Sequence, residues 1–551
     1  MTATNRRLIL LVATIAVLGG AVAIYVSTSR NRQIAKDQVQ AKDMEKPMAD
    51  AAQLWNAFGG GPNRNMVNLI EKNAPVEWDV GKEGHEKKNI KWMATIGSRG
   101  YGGPIIIGGK VFVGTNNETP RNQRDRDPKK VNPVTKEPVA VDKGILMCFR
   151  ESDGQFLWQH VNDKLPSSLV HDWPHEGICS TPIVEGDRLW YVTNRCEVVC
   201  LDTEGFANGN QGVQDEQYKD ATDADVIWRY DMMKNLNVFP HNMSSCSPMI
   251  LGDTLFIVTA NGVDEGHENI PSPEAPSFIA LNKKTGELIW KDSSPGTNIM
   301  HGQWSNPSYA EIGGVAQVIF PGGDGYLHAF DPKTGKPIWK CDCNPKDAFY
   351  KLGSEGTKSD FIATPVIYEG RIYIGVGQDP EHVAGVGHFW CIDPAGKTGD
   401  ISAELVTDAS MFPPKTKPNP NSGVVWHFGG PDNDPNARRE YLFGRTMSTC
   451  AIHEGLVYVA DLEGFLFCFD AKTGKKYWHH DMKSETWGSP YWVDGKIYIG
   501  TSDGDVNIFA HGKEKKLLAK IDFAEPVRST PVMANGVLYV MTEHNLYAIG
   551  K

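Results

Sequence analysis

From residue 102 to the C-terminus, short apolar runs alternate with Gly, Asp and Asn in a repeating frame. Each unit has a Ser/Thr-Pro step, an alternating strand, a Gly turn and a second strand. Copies occur as GGPIIIGGKVFVGT (102–115), STPIVEGDRLWYVT (180–193) and SSCSPMILGDTLFIVT (244–259). They continue as SNPSYAEIGGVAQVIF (305–320), ATPVIYEGRIYIGV (363–376) and STCAIHEGLVYVAD (448–461). GSPYWVDGKIYIGT (488–501) and STPVMANGVLYVMT (529–542) complete a set of eight. Period-two alternation around a Gly-centred turn predicts a β-hairpin in each.

A second unit follows most hairpins, as in ALNKKTGELIW (Ala280 to Trp290), AFDPKTGKPIW (Ala329 to Trp339) and CFDAKTGKKYW (Cys468 to Trp478). Cys148 to Trp158 has the same spacing, and insertions stretch the copies at Cys200 to Trp228 and Cys391 to Trp426. The copy at 506–519 has lost its Trp. Asp or Asn with Thr-Gly builds a turn, and the Trp docks the outer strand on its neighbour. Four strands per repeat and eight repeats predict an all-β, eight-bladed β-propeller with four-stranded antiparallel blades. The chain ends at HNLYAIGK, where a Trp-bearing strand is due, and Asn89 to Gly97 supplies that strand from the N-terminal side. Such closure removes exposed sheet edges.

Residues 8–26, LILLVATIAVLGGAVAIYV, form the one long uncharged apolar run, preceded by Arg6 and Arg7. Nineteen helical residues just span a bilayer core, and the flanking arginines set the N-terminus inside. A single-pass signal anchor in the cell inner membrane is expected, with the propeller on the periplasmic side. The competing reading is a signal peptide cleaved after Ala21-Val22-Ala23. The layout is then a stub and anchor over 1–26, a polar linker over 27–54 and the propeller over 55–551. Composition narrows the function classes. A net charge of -11 argues against nucleic acid as a partner, and 40% hydrophobic residues exclude wholesale disorder.

The Ala-x-Asp-x-x-Thr-Gly-x-x-x-Trp pattern resembles the tryptophan-docking repeat of the PQQ-like, quinoprotein-type propellers. The likeness covers roughly residues 89–551, and Trp55-Asn-Ala-Phe58-Gly looks like the lead-in of such chains. It implies the fold but not one function, because PQQ-dependent alcohol and sugar dehydrogenases share it with the propeller lipoprotein of outer-membrane protein assembly.

Ten Cys in an exported chain suggest a disulfide framework. The repeat register places Cys148, Cys200, Cys391 and Cys468 where sister blades carry Ala, so they read as small buried hydrophobes. Cys450 takes the slot of the Pro. Cys179 and Cys246 lie near equivalent points of adjacent blades, which leaves a cross-blade disulfide open. Cys341-Asp-Cys343 has no second Cys/His pair at zinc-site spacing.

In a propeller, the loops leading into the innermost strands converge on a central funnel. His175 and His241 stand seven residues before Pro182 and Pro248, and His301 stands six before Pro307. Arg99, Asp360, Arg445, Glu485 and Arg528 fall in the same window of other blades. Neutral imidazoles would suit a metal or cofactor pocket. Adjacent inner strands are expected to hold three rings too far apart for one ion, so no metal site is assigned.

The resemblance supplies a further test, since quinoprotein alcohol dehydrogenases hold the quinone between a Trp floor and a ring of two adjacent Cys. No adjacent pair occurs. Their catalytic, calcium-bound Asp sits in a loop that looks like His301-Gly302-Gln303-Trp304-Ser305, which has no carboxylate. An Asn ligand is matched by Asn261 in Thr259-Ala-Asn261-Gly262. His175, His241, Asn261, His301 and Trp304 are therefore the candidate cofactor-binding residues, with PQQ and calcium as the conditional cofactor. Three insertions, 116–143, 262–276 (with Asp264, Glu265, His267 and Glu268) and 402–422, are candidate partner-binding elements. The leading expectation is a binding or scaffolding module for periplasmic or envelope proteins. The alternative is a PQQ-dependent oxidoreductase with a rebuilt funnel.

Overall fold

The computed structural model describes residues 55–81, 86–351, 355–377 and 385–551. The expected anchor over 8–26 and linker over 27–54 lie outside the described residues. Among those described, no helix is long and apolar enough to cross a membrane.

Eight sheets form, each built on four antiparallel strands. In chain order their first strands are Ile105–Ile107, Ile183–Glu185, Met249–Leu251 and Ser308–Ile312 in blades 1 to 4. Blades 5 to 8 begin at Val366–Tyr368, Ala451–His453, Tyr491–Val493 and Val532–Ala534. The eighth blade closes as the sequence predicts. Ile90–Thr95 pairs antiparallel with the last strand, Asn545–Ile549, and Trp92 faces Ala548.

The conserved register explains the Ala/Cys and Trp positions together. On the outermost strands, Trp158 faces Cys148, Trp228 faces Cys200, Trp290 faces Ala280 and Trp478 faces Cys468. A small residue leaves room beneath the indole, and a bulge just beyond it turns the strand end. The indole N–H then crosses to the next blade: Trp228 Nε1 donates to the Lys283 carbonyl at 3.1 Å, and Trp290 Nε1 to that of Pro332 at 3.0 Å. The receiving turn must be Gly. At Gly286, φ is +73°, and a Cβ would stand 2.7 Å from Trp228 Cε3. Blade 7 lacks the indole and compensates with volume from below, placing Ile508 opposite Ala519. Blade 4 also departs: Trp339 Nε1 donates to the Gln317 side chain at 2.6 Å, while Gly399–Asp400 adds a parallel strand over it.

The Ser or Thr before the Pro, or before Cys450 in its place, has its own task near the axis. Thr181, Thr364, Thr449 and Ser489 donate their backbone N–H groups to the side-chain oxygens of Ser247, Thr449, Ser489 and Thr530 in the following blades. Ser247 N–H reaches Asn306 Oδ1, and Asn306 Nδ2 continues to Thr364 Oγ1. A hydroxyl or amide at this step thus stitches one blade to the next. All ten Cys are free thiols, so the Cys179–Cys246 bridge is not formed, and the four in Ala slots are buried.

The lead-in does more than precede the ring, because residues 55–68 reach the inner strand region of every blade. Backbone bonds join Trp55 to Ile106, Asn56 to Val184, Pro62 to Tyr309, Asn63 to Ile367 and Met66 to Trp492. Asn65 exchanges two side-chain bonds with Ile452, and Asn68 donates to the Met533 carbonyl. Arg64, fully buried, donates to the carbonyls of Phe58, Ser247, Pro248 and Pro307 at 2.9–3.0 Å. Carbonyls accept without being charged, so they solvate the guanidinium in place of water. This segment seals one end of the channel.

A blind funnel and a histidine corner

With one end plugged, the axis becomes a blind funnel of about 350 Å³ floored by Phe58. Every blade contributes to its wall, including the interblade Ser, Thr and Asn residues of the belt. Tyr101, Trp173, Trp304 and Trp487 supply aromatic surface, with the Tyr101 and Trp487 rings 5.4 Å apart. Glu176 is the one carboxylate in the lining and no basic residue joins it. Burial, then the Glu176 carboxylate, pushes the Tyr101 phenol above its ordinary range. Arg99 lies 3.8 Å from Glu176 and 3.4 Å from Glu543, which Arg528 approaches at 3.5 Å. Arg445 Nε stands 3.7 Å from Glu463 Oε1, whose carboxyl is pushed up to about 7 by burial and Asp461.

The sequence candidates separate in space. Trp304 lines the funnel, and its Nε1 donates to the His241 carbonyl at 3.1 Å. His241 and His301 stand together behind it, both buried, with ring centroids 4.4 Å apart. His175 lies apart from them: its side chain is 70% exposed and its Nδ1 is 3.9 Å from Asp142. Asn261 is wholly buried, where its Oδ1 accepts from Phe239 N–H and its Nδ2 donates to the Ser272 carbonyl. Gln303 is likewise engaged, donating to the Asn261 carbonyl and Ser277 Oγ.

The three rings at the inner-strand entries, His175, His241 and His301, do not meet, yet a three-histidine cluster forms by another route. The third ring comes from the insertion between the second and third strands of blade 3. His267, half-buried there, places Nε2 3.1 Å from His241 Nε2 and 2.7 Å from His301 Nε2. All three ligand atoms lie within 4.8 Å of one another. The loop is clamped by Val263, whose N–H donates to the His301 carbonyl at 3.0 Å and whose carbonyl lies 2.9 Å from His241 Nδ1. Gly262 allows the approach, since a Cβ there would stand 2.5 Å from His241 Cβ. An unusually long second-to-third-strand loop carrying a His was the available sequence signal. Repeat register could not place it.

The residues present do not fit PQQ with calcium. Calcium takes six to eight oxygens, carboxylates among them. The 301–305 loop offers none, and Asn261 is spent on backbone groups. The funnel lining also lacks a cation to meet a quinone that carries carboxylates.

A family model described as outer membrane protein assembly factor BamB matches residues 142–393 and 418–513. The outer membrane protein assembly factor BamB of Burkholderia pseudomallei is 19% identical over 363 residues, covering 59% of this chain and 88% of that protein. The 1-butanol dehydrogenase (cytochrome c) of Thauera butanivorans is 26% identical over 151 residues, covering 23% of this chain. The chain spans only 20% of that dehydrogenase's length. Among solved structures, the quinohemoprotein alcohol dehydrogenase of Comamonas testosteroni superposes with a TM-score of 0.54 at 13% identity, over 94% of this chain and 84% of its own. That likeness shows the fold alone.

Proposed function

We propose, for a chain that belongs to the PQQ-like propeller family described as outer membrane protein assembly factor BamB, an exported binding module without quinone chemistry. Its ligand is a protein segment of an envelope partner, taken into the blind funnel. The observation that carries this reading is the funnel lining: aromatic rings and hydroxyls around an apolar floor, with a single acid and no base. Such surfaces bind by burying apolar groups and by orienting a few hydrogen bonds. Residues 8–26 anchor the chain in the inner membrane in this proposal, the linker spans 27–54, and the propeller over 55–551 faces the periplasm. Resistance of the full chain to carbonate extraction from membranes, lost on deletion of 1–26, checks the anchor.

The competing reading is a PQQ-dependent oxidoreductase, favoured by the dehydrogenase likeness and by Trp304 in the funnel wall. One experiment separates them. The protein is titrated with PQQ, with and without calcium, following Trp quenching, and then assayed for dye reduction with alcohols and aldoses. No saturable quenching and no dye reduction are expected. Micromolar binding with substrate-dependent dye reduction overturns the binding-module reading.

A further inference from the structure

Imidazole chemistry restricts what three convergent rings can do. Each ring nitrogen offers either one N–H or one lone pair in the ring plane. His267 Nε2 lies within hydrogen-bond distance of two other Nε2 atoms at once. As a donor it would split one proton between two acceptors; as an acceptor it would offer one lone pair to two donors. Neither state makes two good bonds. The His241 tautomer is fixed independently, because a carbonyl only accepts. Its Nδ1, 2.9 Å from the Val263 oxygen, therefore carries the proton and leaves an Nε2 lone pair aimed at the other rings.

We propose that His241, His267 and His301 bind one zinc-class divalent transition ion through their Nε2 atoms. A cation between the rings takes all three lone pairs. Zinc–nitrogen bonds of about 2.0–2.1 Å place tetrahedral ligand nitrogens roughly 3.3 Å apart. The two pairs that His267 makes, at 3.1 and 2.7 Å, need spread by up to about 0.6 Å to reach that spacing, and the third pair already lies within 4.8 Å. Imidazole nitrogen selects zinc, cobalt, nickel or copper over calcium and magnesium, which require oxygen. The supporting shell is in place: Val263 orients one ligand, and Trp304 donates to the His241 carbonyl and packs edge-on to His301 at 5.0 Å. Three protein ligands leave a tetrahedral ion one position for water. The ion also ties the blade 3 insertion to blade 4, beside the funnel wall. This inference goes beyond the binding-module reading and stands if that reading falls.

The test uses the full chain, purified on an affinity tag without histidines, stripped with a chelator and dialysed against zinc, cobalt or calcium. Metal analysis is expected to give one zinc per chain and no retained calcium, and cobalt to show tetrahedral-type visible absorption. His267→Ala, a half-buried loop change, should weaken zinc binding by about 100-fold or more, with the circular dichroism of the ring unchanged. His175→Ala, outside the cluster, should leave binding unaltered. The proposal is overturned if the stripped wild type takes up less than about a tenth of an equivalent of zinc, cobalt, nickel and copper alike at micromolar concentration, far short of the one ion that three ligands hold. It is equally overturned if zinc binding is unmoved in both His267→Ala and His241→Ala.

Discussion

His388 in blade 5 is 2% exposed on the strand His388–Ile392, and its Nδ1 lies 2.9 Å from Nε2 of His427 on the neighbouring outer strand. His427 in turn stacks on Trp390, with centroids 4.1 Å apart. Two neutral rings with Nδ1 facing Nε2 share one proton as donor and acceptor, and the pair is complete. At the corner between blades 3 and 4, three Nε2 atoms face one another, and His267 Nε2 lies within hydrogen-bond distance of both others. Strand register fixes the first group. A clamped loop brings the second together. The two groups differ in the number of rings and in the nitrogen each presents.

Acid titration gives the largest expected effect, at the His388–His427 pair. Burial, then His427, pushes His388 down to about 3 from 6.5. The unfolded chain therefore takes up the proton first as pH falls. The stability tied to the neutral ring is present above 6.5 and is lost below it. The slope is about 1.4 kcal/mol per pH unit, roughly 3 kcal/mol by pH 4. Urea unfolding of wild type against His388→Phe measures this difference, and an identical pH profile in both would break the comparison. At pH 8, His388→Ala should cost about 2–3 kcal/mol, by leaving a cavity and an unpaired partner.

At the other corner, Gly262→Ala should cost about 1–2 kcal/mol, since its Cβ collides with His241 and forces the insertion outward. Zinc uptake should fall in the same variant. The smallest effect is expected for His267→Ala in metal-free protein, within about 0.5 kcal/mol of wild type. A large loss there would show that the ring supports the fold rather than a ligand.

The propeller was legible because its signals repeat. Trp290 and Ala280 recur at fixed spacing, and the pairing across the sheet gives both a packing reason. The closing strand was legible as a missing copy, found at Trp92. Arg64 was not legible, for its partners are main-chain carbonyls, and a carbonyl has no residue signature. His267 was hidden by a different physics. A loop has no period, so nothing in its sequence says how far it folds back, and the Gly262 approach is decided by tertiary contacts. Asn261 looked like a ligand by its motif, yet its neighbours use both ends of its amide.

The two N-terminal devices impose an order of events on synthesis. Residues 55–68 and 90–95 leave the ribosome long before some of their partners, among them Met533 and the strand Asn545–Ile549. Asn68 and Met533 are 465 positions apart in the chain. Contacts of such separation form slowly, because a long loop must close before they yield any stabilisation. Until the eighth blade emerges, the ring has no closing pair and exposes strand edges that invite mispairing. The plug that shapes the funnel and the strand that closes the ring thus make ring completion a late step, one that waits for Met533 and Asn545–Ile549.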